Sequence, residues 1–205
     1  MSRFDARAPA DVARLTHEHP LAWVVSIDAG AFHASPLPLR TRCDAEGRMQ
    51  RIVGHFARRN PQVEALRRSP QAMFLFLGPH GYISPSWMTD RTQVSTWNYA
   101  MAVCHASVRF LDDGDELRAA MRDLVDSQEA DRPGRWHLDE MGPRYDRLAQ
   151  AIIGFEATVS DVRSRFKLGQ DERDDVYADI TRALGAQGEA SALLLNWMRE
   201  FNAAR

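Results

Sequence analysis

A chain of 205 residues, 44% apolar and 26% charged, has the composition of an ordinary folded protein, and its length predicts one domain with an appendage. The formal charge of −2 argues against strong non-specific affinity for nucleic acid, which needs clustered Lys and Arg, although it leaves room for a local basic patch. Cys43 and Cys104 lack C-x-x-C spacing, which argues against a metal knuckle or a disulfide scaffold, so no metal site is expected. The amino terminus lacks the apolar core of a secretory signal, and no stretch approaches the ~18 apolar residues of a membrane span, so a cytoplasmic protein without a membrane partner is expected.

In chain order, Val12 and Leu15 share a helical face that Pro20 ends. LAWVVSI is a strand, and Asp28-Ala29-Gly30 turns it into the extended AFHASPLPLR, which Pro36 and Pro38 assign to an edge or a bulge. After a turn at Asp44 to Gly47, the strand RMQRIVGH leads to a helix capped by Asn60 with Pro61 in its first turn, where a missing N–H costs nothing. QAMFLFLG is apolar enough for a strand buried on both faces. Tyr99 to Leu111 is a strand, and Asp113 and Glu116 have capping-box spacing for a helix built on Leu117, Met121, Leu124 and Val125. An irregular segment around Trp136 and a short helix at 144–151 precede the strand IIGFEATVSDVRSRFKL. Two amphipathic helices close the chain, on Val176, Ile180, Ala183 and Leu184 and on Leu194, Trp197, Met198 and Phe201.

The fold class predicted is mainly β with helices, an antiparallel barrel with peripheral and C-terminal helices, because short strands and hairpin turns predominate and strand-helix alternation is lacking. The expected division is 1–168 for the barrel, with a helical insertion at about 114–151, and 169–205 for a helical extension.

The stretch from Gly78 to Tyr99, GPHGYISPSWMTDRTQVSTWNY, holds the densest chemistry. Pro79 predicts a turn and Pro85 an interrupted or edge strand. Trp87 and Trp97 offer flat faces, and Ser84, Ser86, Thr96 and Asn98 offer hydrogen-bonding groups, a set suited to a planar, heteroatom-rich ligand. The same aromatics would serve equally as core or interface anchors.

Four elements in order resemble the PaiB-type proteins, described as FMN-binding negative transcriptional regulators of the flavin-binding split-barrel group. They are GHFARRNPQ from Gly54, YISPSWM from Tyr82, STWNY from Ser95, and GFEATVSDVRSRFKLGQ from Gly154. Arg59, Val63, Met88, Ser95 and Gly169 depart from the family pattern, and the family's V-H-V-Y-G stands here as Ala102-Val103-Cys104-His105-Ala106.

The resemblance implies an FMN-binding split β-barrel that forms a homodimer, with FMN in the intersubunit groove. Carried onto this chain it nominates His55, Arg58, Arg59, Asn60, Ser84, Trp87, Thr96, Trp97, Asn98, Lys167 and Gln170 as cofactor-binding residues. Arg58 and Arg59, before the capped helix, are placed to attract the FMN phosphate, and Lys167 shares a strand face with Arg163 and Arg165. Trp87, Trp97 and Asn98 are the candidates for the isoalloxazine, and catalytic residues are not identifiable. The function implied is regulatory. DNA binding is compatible with the family, but no reading helix is recognisable. The alternatives are an FMN-dependent oxidoreductase on a small molecule and a split-barrel protein with weakened flavin affinity.

Overall fold

The computed structural model describes residues 2–203. Helix α1 (Pro9–Glu18) buries Val12 and Leu15. Strands β1 (Leu21–Asp28) and β2 (Ala31–Pro38) pair antiparallel from Leu21↔Pro38 to Asp28↔Ala31. Ala29 and Gly30, at φ 48 and 83, form the two-residue turn between them, both in the left-handed region that a tight hairpin demands. The stretch expected as one extended segment thus divides into β2 and a short β3 (Arg40–Cys43), which pairs with β4 (Met49–Ala57). Helix α2 (Pro61–Arg68) leads to β5 (Gln71–Ile83), and β6 (Thr96–Leu111) to α3 (Gly114–Glu129) and α4 (Arg144–Ala149). Strand β7 (Ile152–Lys167) and helices α5 (Asp174–Ala186) and α6 (Glu189–Phe201) complete the chain.

The seven strands form one sheet in the order β2-β1-β5-β6-β7-β4-β3. Antiparallel pairing joins β1 to β2 and β5, and β4 to β3 and β7. This is the antiparallel sheet with peripheral and C-terminal helices that the sequence predicts. Pro36 and Pro38 lie on β2, at the sheet edge, where a missing backbone donor is tolerated. Pro79 does not turn the chain: it lies inside β5, and the interruption comes at Pro85, which opens a single 3-10 turn over Pro85–Trp87. Asp113 caps α3 through the N–H groups of Asp115 and Glu116, whereas the Glu116 carboxylate binds Arg109 instead of completing a capping box.

Internal contacts divide the chain into two units. One comprises Met1–Ala8, Leu77–Met101 and Ser164–Arg205, the other Pro9–Phe76 and Ala102–Arg163. Strands β5, β6 and β7 each contribute residues to both. In the first unit Phe166, Trp197 and Phe201 stack with ring centroids 5.1–5.8 Å apart, and Arg7 lies 3.7 Å over the Phe201 ring. This fastens β7 to α6 and the amino-terminal segment. In the second, Phe56, Phe74 and Phe155 form the centre, and Leu117, Met121 and Leu124 of α3 pack with Leu138 and Tyr145.

Strand β5 departs from the expectation of burial on both faces. Ala72, Phe74 and Phe76 are buried, but Met73 and Leu75 are only partly covered and Leu77 is exposed. The outer side chains of β1 in the second unit continue that apolar face. Trp23 is 53% exposed and pairs with Leu75 on β5 and Pro36 on β2, and Ile27 pairs with Phe32, itself 77% exposed. Alternation therefore governs these strands, and one apolar face is left uncovered by its own unit.

Gly54 opens the G-H element for a packing reason. A Cβ there would meet Leu39 Cδ2 at 2.7 Å and the Phe155 ring at 2.9 Å. Gly54→Ala is expected to destabilise the fold by about 1–3 kcal/mol through overpacking, read as a lower urea midpoint; an unchanged midpoint would show that the two side chains move aside freely.

Candidate functional site

The nominated residues fall into two groups, one in each unit. In the second unit, His55 on β4 pairs with Gly154 on β7 and is half-buried. Its Nδ1 is buried without a hydrogen-bond partner, and burial holds the imidazole pKa below its ordinary value. Asn60 is committed at both ends: its carbonyl oxygen accepts from Gln62 N at 2.9 Å, and its amide donates to Ser35 Oγ at 2.9 Å. The cap position is legible in the sequence, and the cap consumes the side chain. Arg58 donates from Nε to the Gln150 carbonyl at 3.1 Å, while Arg59 is exposed and has no hydrogen bond or ion pair among the described residues. Gln62, which ends the N-P-Q element, donates to Val24 O and Ser26 Oγ. It ties α2 to β1, while its Oε1 is buried without a hydrogen-bond partner.

The first unit holds the aromatic group. Trp97 on β6 is 55% exposed, and Tyr82 and His80 of β5 lie beside it at ring centroid distances of 6.0 Å and 6.4 Å. Tyr82 is not among the residues the sequence nominates and His80 is there only a possible ligand donor, although their spacing of two on a strand puts both on the face that meets Trp97. Ser84 Oγ and Ser86 Oγ are 2.8 Å apart where β5 gives way to the 3-10 turn ending at Trp87, which is partly buried. The Lys167 ammonium donates to Thr96 Oγ1, joining the end of β7 to the start of β6. Lys167 is the only lysine in the sequence.

Two nominated residues are placed otherwise. Asn98 follows Trp97 on β6 and faces the opposite side of the strand; it is 1% exposed and donates to Met198 Sδ at 3.5 Å. Gln170 spends its amide on backbone, accepting from Leu168 N and donating to Phe166 O. That bracket holds the chain end of β7 around Gly169, at φ 84.

The loop between Trp87 and Thr96 is tied down by acids. Asp90 accepts from Thr92 N, Thr92 Oγ1, Gln93 Nε2 and Arg173 Nη2, and these bonds hold its carboxyl far below the usual carboxylate range. Asp179 of α5 accepts from Thr89 N at 2.6 Å and from Arg182. Helix α5 therefore sets the path by which the chain passes from one tryptophan to the other. The first unit thus presents exposed aromatic faces, three hydroxyl groups and one ammonium, a donor set that fits the ring and phosphate of a flavin nucleotide.

A family described as "Putative FMN-binding domain" matches residues 1–161. The chain belongs to that FMN-binding family. It is 29% identical over 175 residues to the protease synthase and sporulation protein PAI 2 of Bacillus subtilis, a match covering 85% of this chain and 83% of that protein. Among solved structures, the FAD and heme binding protein of Mycobacterium smegmatis superposes with a TM-score of 0.57 at 17% identity, over 85% of this chain and 78% of that one. The flavocytochrome Anf3 of Azotobacter vinelandii gives 0.54 at 16% identity, over 82% and 72%. The fold is therefore shared with flavoproteins, and the PaiB-type resemblance and its cofactor, FMN, both stand. No helix among the described residues is long and apolar enough to cross a membrane.

The lowered pKa of His55 has a stability consequence of definite sign. The folded chain binds this proton less readily than the unfolded chain, so the penalty is absent above the ordinary histidine range and grows as pH falls below about 6.5. His55→Gln is expected to flatten the pH dependence of unfolding between about pH 6.5 and 5, removing a slope of at most about 1.4 kcal/mol per pH unit. Superimposable profiles for parent and variant would show that the imidazole titrates alike in both states.

Proposed function

We propose that this chain is a homodimeric, cytoplasmic FMN-binding protein with a regulatory role. The observations that carry the reading are the exposed Trp97–Tyr82 pair and the Lys167–Thr96 contact at the start of the same strand, in a chain of the FMN-binding family. FMN needs an aromatic or apolar surface for its ring and cationic donors for a phosphate of roughly −1.5 to −2 charge. Trp97 and Tyr82 supply the first, and Lys167 with Ser84, Ser86 and Thr96 supplies the second.

The homodimer rests on the second unit's uncovered apolar face. Trp23, Ile27 and Phe32 stand together there, flanked by Met73 and Leu75, and clustered exposed apolar side chains of this size mark association surfaces. The regulatory role rests on the resemblance and on the Bacillus relative, whose name places it in protease synthesis and sporulation. Direct reading of DNA by the last helix is not part of the proposal, because Leu194, Leu195, Trp197, Met198 and Phe201 of α6 are buried in their own unit.

A second reading is an FMN-dependent oxidoreductase, favoured by the same exposure of Trp97 and Tyr82, which leaves a ring bound there within reach of a small redox partner. Bound FMN would supply the electron-transfer chemistry, and the chain would contribute placement and electrostatics. Oxidation of a reduced nicotinamide with turnover favours this reading. An effect of FMN on the expression of target genes, without turnover, favours the first.

Trp97→Ala is expected to weaken FMN by about 1 kcal/mol or more, roughly fivefold, in a fluorescence titration with the fold intact. Lys167→Ala should weaken FMN more than riboflavin, since only FMN carries the phosphate; equal losses would remove Lys167 from phosphate binding. Trp23→Glu with Ile27→Glu should convert a dimer to a monomer in sedimentation equilibrium, whereas an unchanged mass would move the interface elsewhere.

A further inference from the structure

The apolar face of the Pro9–Phe76 and Ala102–Arg163 unit has a raised part and a hollow part. The raised part is Phe32, near the start of β2, whose side chain is 77% exposed. The hollow is a groove of about 300 Å³ where the pairing of β1 with β5 ends. Val25, Ile27, Ala72 and Met73 give it an apolar lining, and Gln71 and His105 are its larger polar members. An enclosed apolar cavity of about 150 Å³ already takes a benzene molecule, so the groove has room for a phenyl ring.

Phe32 cannot fill the groove of its own chain. Its strand flanks β1 on one side, where Phe32 is the cross-strand partner of Ile27, and the groove lies on the other side of Ile27, toward β5 and β6. Ring and groove therefore stand side by side on one face with Ile27 between them. A two-fold contact uses one patch twice, so each feature must meet its complement on the other copy. An axis that lies in the plane of contact and passes over Ile27 carries each ring to the opposite groove.

The area available suits the same occupant. Leu21, Trp23, Ile27 and Phe32 all point outward and are about half exposed or more, which leaves on the order of 500 Å² of side chain in water. That is more than half of the ~800 Å² each partner buries in a standard interface, and the partly covered Val25, Met73 and Leu75 lie among them. A small molecule in the groove would leave Phe32 and Trp23 facing water, whereas a second copy covers ring and groove together.

We propose that two copies of this chain are joined by a reciprocal contact in which Phe32 of each seats in the groove beside Ile27 of the other. This contact presupposes the homodimer proposed above and names the side chain that carries it, since an aromatic anchored in a partner's pocket dominates many interfaces.

The test is sedimentation equilibrium of the full chain and two variants. Phe32→Ala removes the ring and leaves the groove, whereas Gln71→Trp, at an exposed position, fills the groove and leaves the ring. Each alone is expected to raise the dimer dissociation constant by about tenfold or more while keeping the far-UV circular dichroism of the parent. An equimolar mixture should associate several-fold more tightly than either variant alone, because the mixed pair keeps one ring-groove contact where each variant's own pair keeps none. A dimer unchanged in either variant, or a mixture no tighter than its components, would overturn the contact. If Trp23→Glu with Ile27→Glu still yields a monomer in that case, the homodimer itself survives. A parent chain that is monomeric at every concentration overturns both, leaving the groove to a small apolar ligand or a different protein.

Discussion

The alternation of side chains along β6 is the constraint on which the rest depends. This strand is the middle one of seven, and its inward positions are Asn98, Ala100, Ala102, Cys104, Ala106 and Val108, nearly all small and all buried. Small residues there let neighbouring layers approach closely, whereas Trp97, Tyr99, Met101 and Val103 on the other side are large and only partly covered or exposed. Since the period of a strand is two, a shift of one residue would bury the tryptophan and expose the alanines. The position of Trp97 at the surface and that of Asn98 in the interior are two consequences of one register.

The long strands divide their labour between the two units. In the first unit the strand ends and the loop between them carry polar contacts: Lys167 meets Thr96, Ser84 meets Ser86, and Asp90 and Asp179 hold the connecting loop. In the second unit the outer face carries Trp23, Ile27 and Phe32, with Ser69, Gln71 and His105 lining a groove beside Ile27. Water-facing aromatics with nearby donors suit a small polar ligand, and water-facing aromatics without them suit a protein surface. The same residue types therefore support two different readings: an ammonium and hydroxyls accompany the first unit's strands, and adjoining exposed apolar side chains of two paired strands make up the second unit's face.

Much of this is legible in the sequence. The tight turn at Ala29-Gly30, the edge position of Pro36 and Pro38, the Asn60-Pro61 helix start and the apolar faces of α5 and α6 each come from local chemistry that the fold respects. The family is legible too, because four elements keep their order. The half-covered state of β5 is not, since Met73, Leu75 and Leu77 are apolar whether they are covered by their own chain or by something else. Hydrophobicity states a need for cover and does not name what covers. Asn98 and Gln170 are candidate ligand contacts in a linear reading because their amides are versatile. Their actual partners, Met198 Sδ and the backbone around Gly169, depend on packing that such a reading does not contain. The assembly of each unit from separated segments is equally hidden, because no change of composition marks residues 76–77 or 163–164.

Binding of FMN to the chain is the claim from which the regulatory and redox readings both descend, and it is best tested by equilibrium dialysis of the flavin-depleted protein against FMN, with riboflavin in parallel. Saturation at one FMN per chain, tighter than riboflavin, is the predicted result. Absence of saturable FMN uptake at tens of micromolar, an affinity weaker than about −6 kcal/mol, would contradict it, leaving a flavoprotein fold whose aromatic surface serves another ligand.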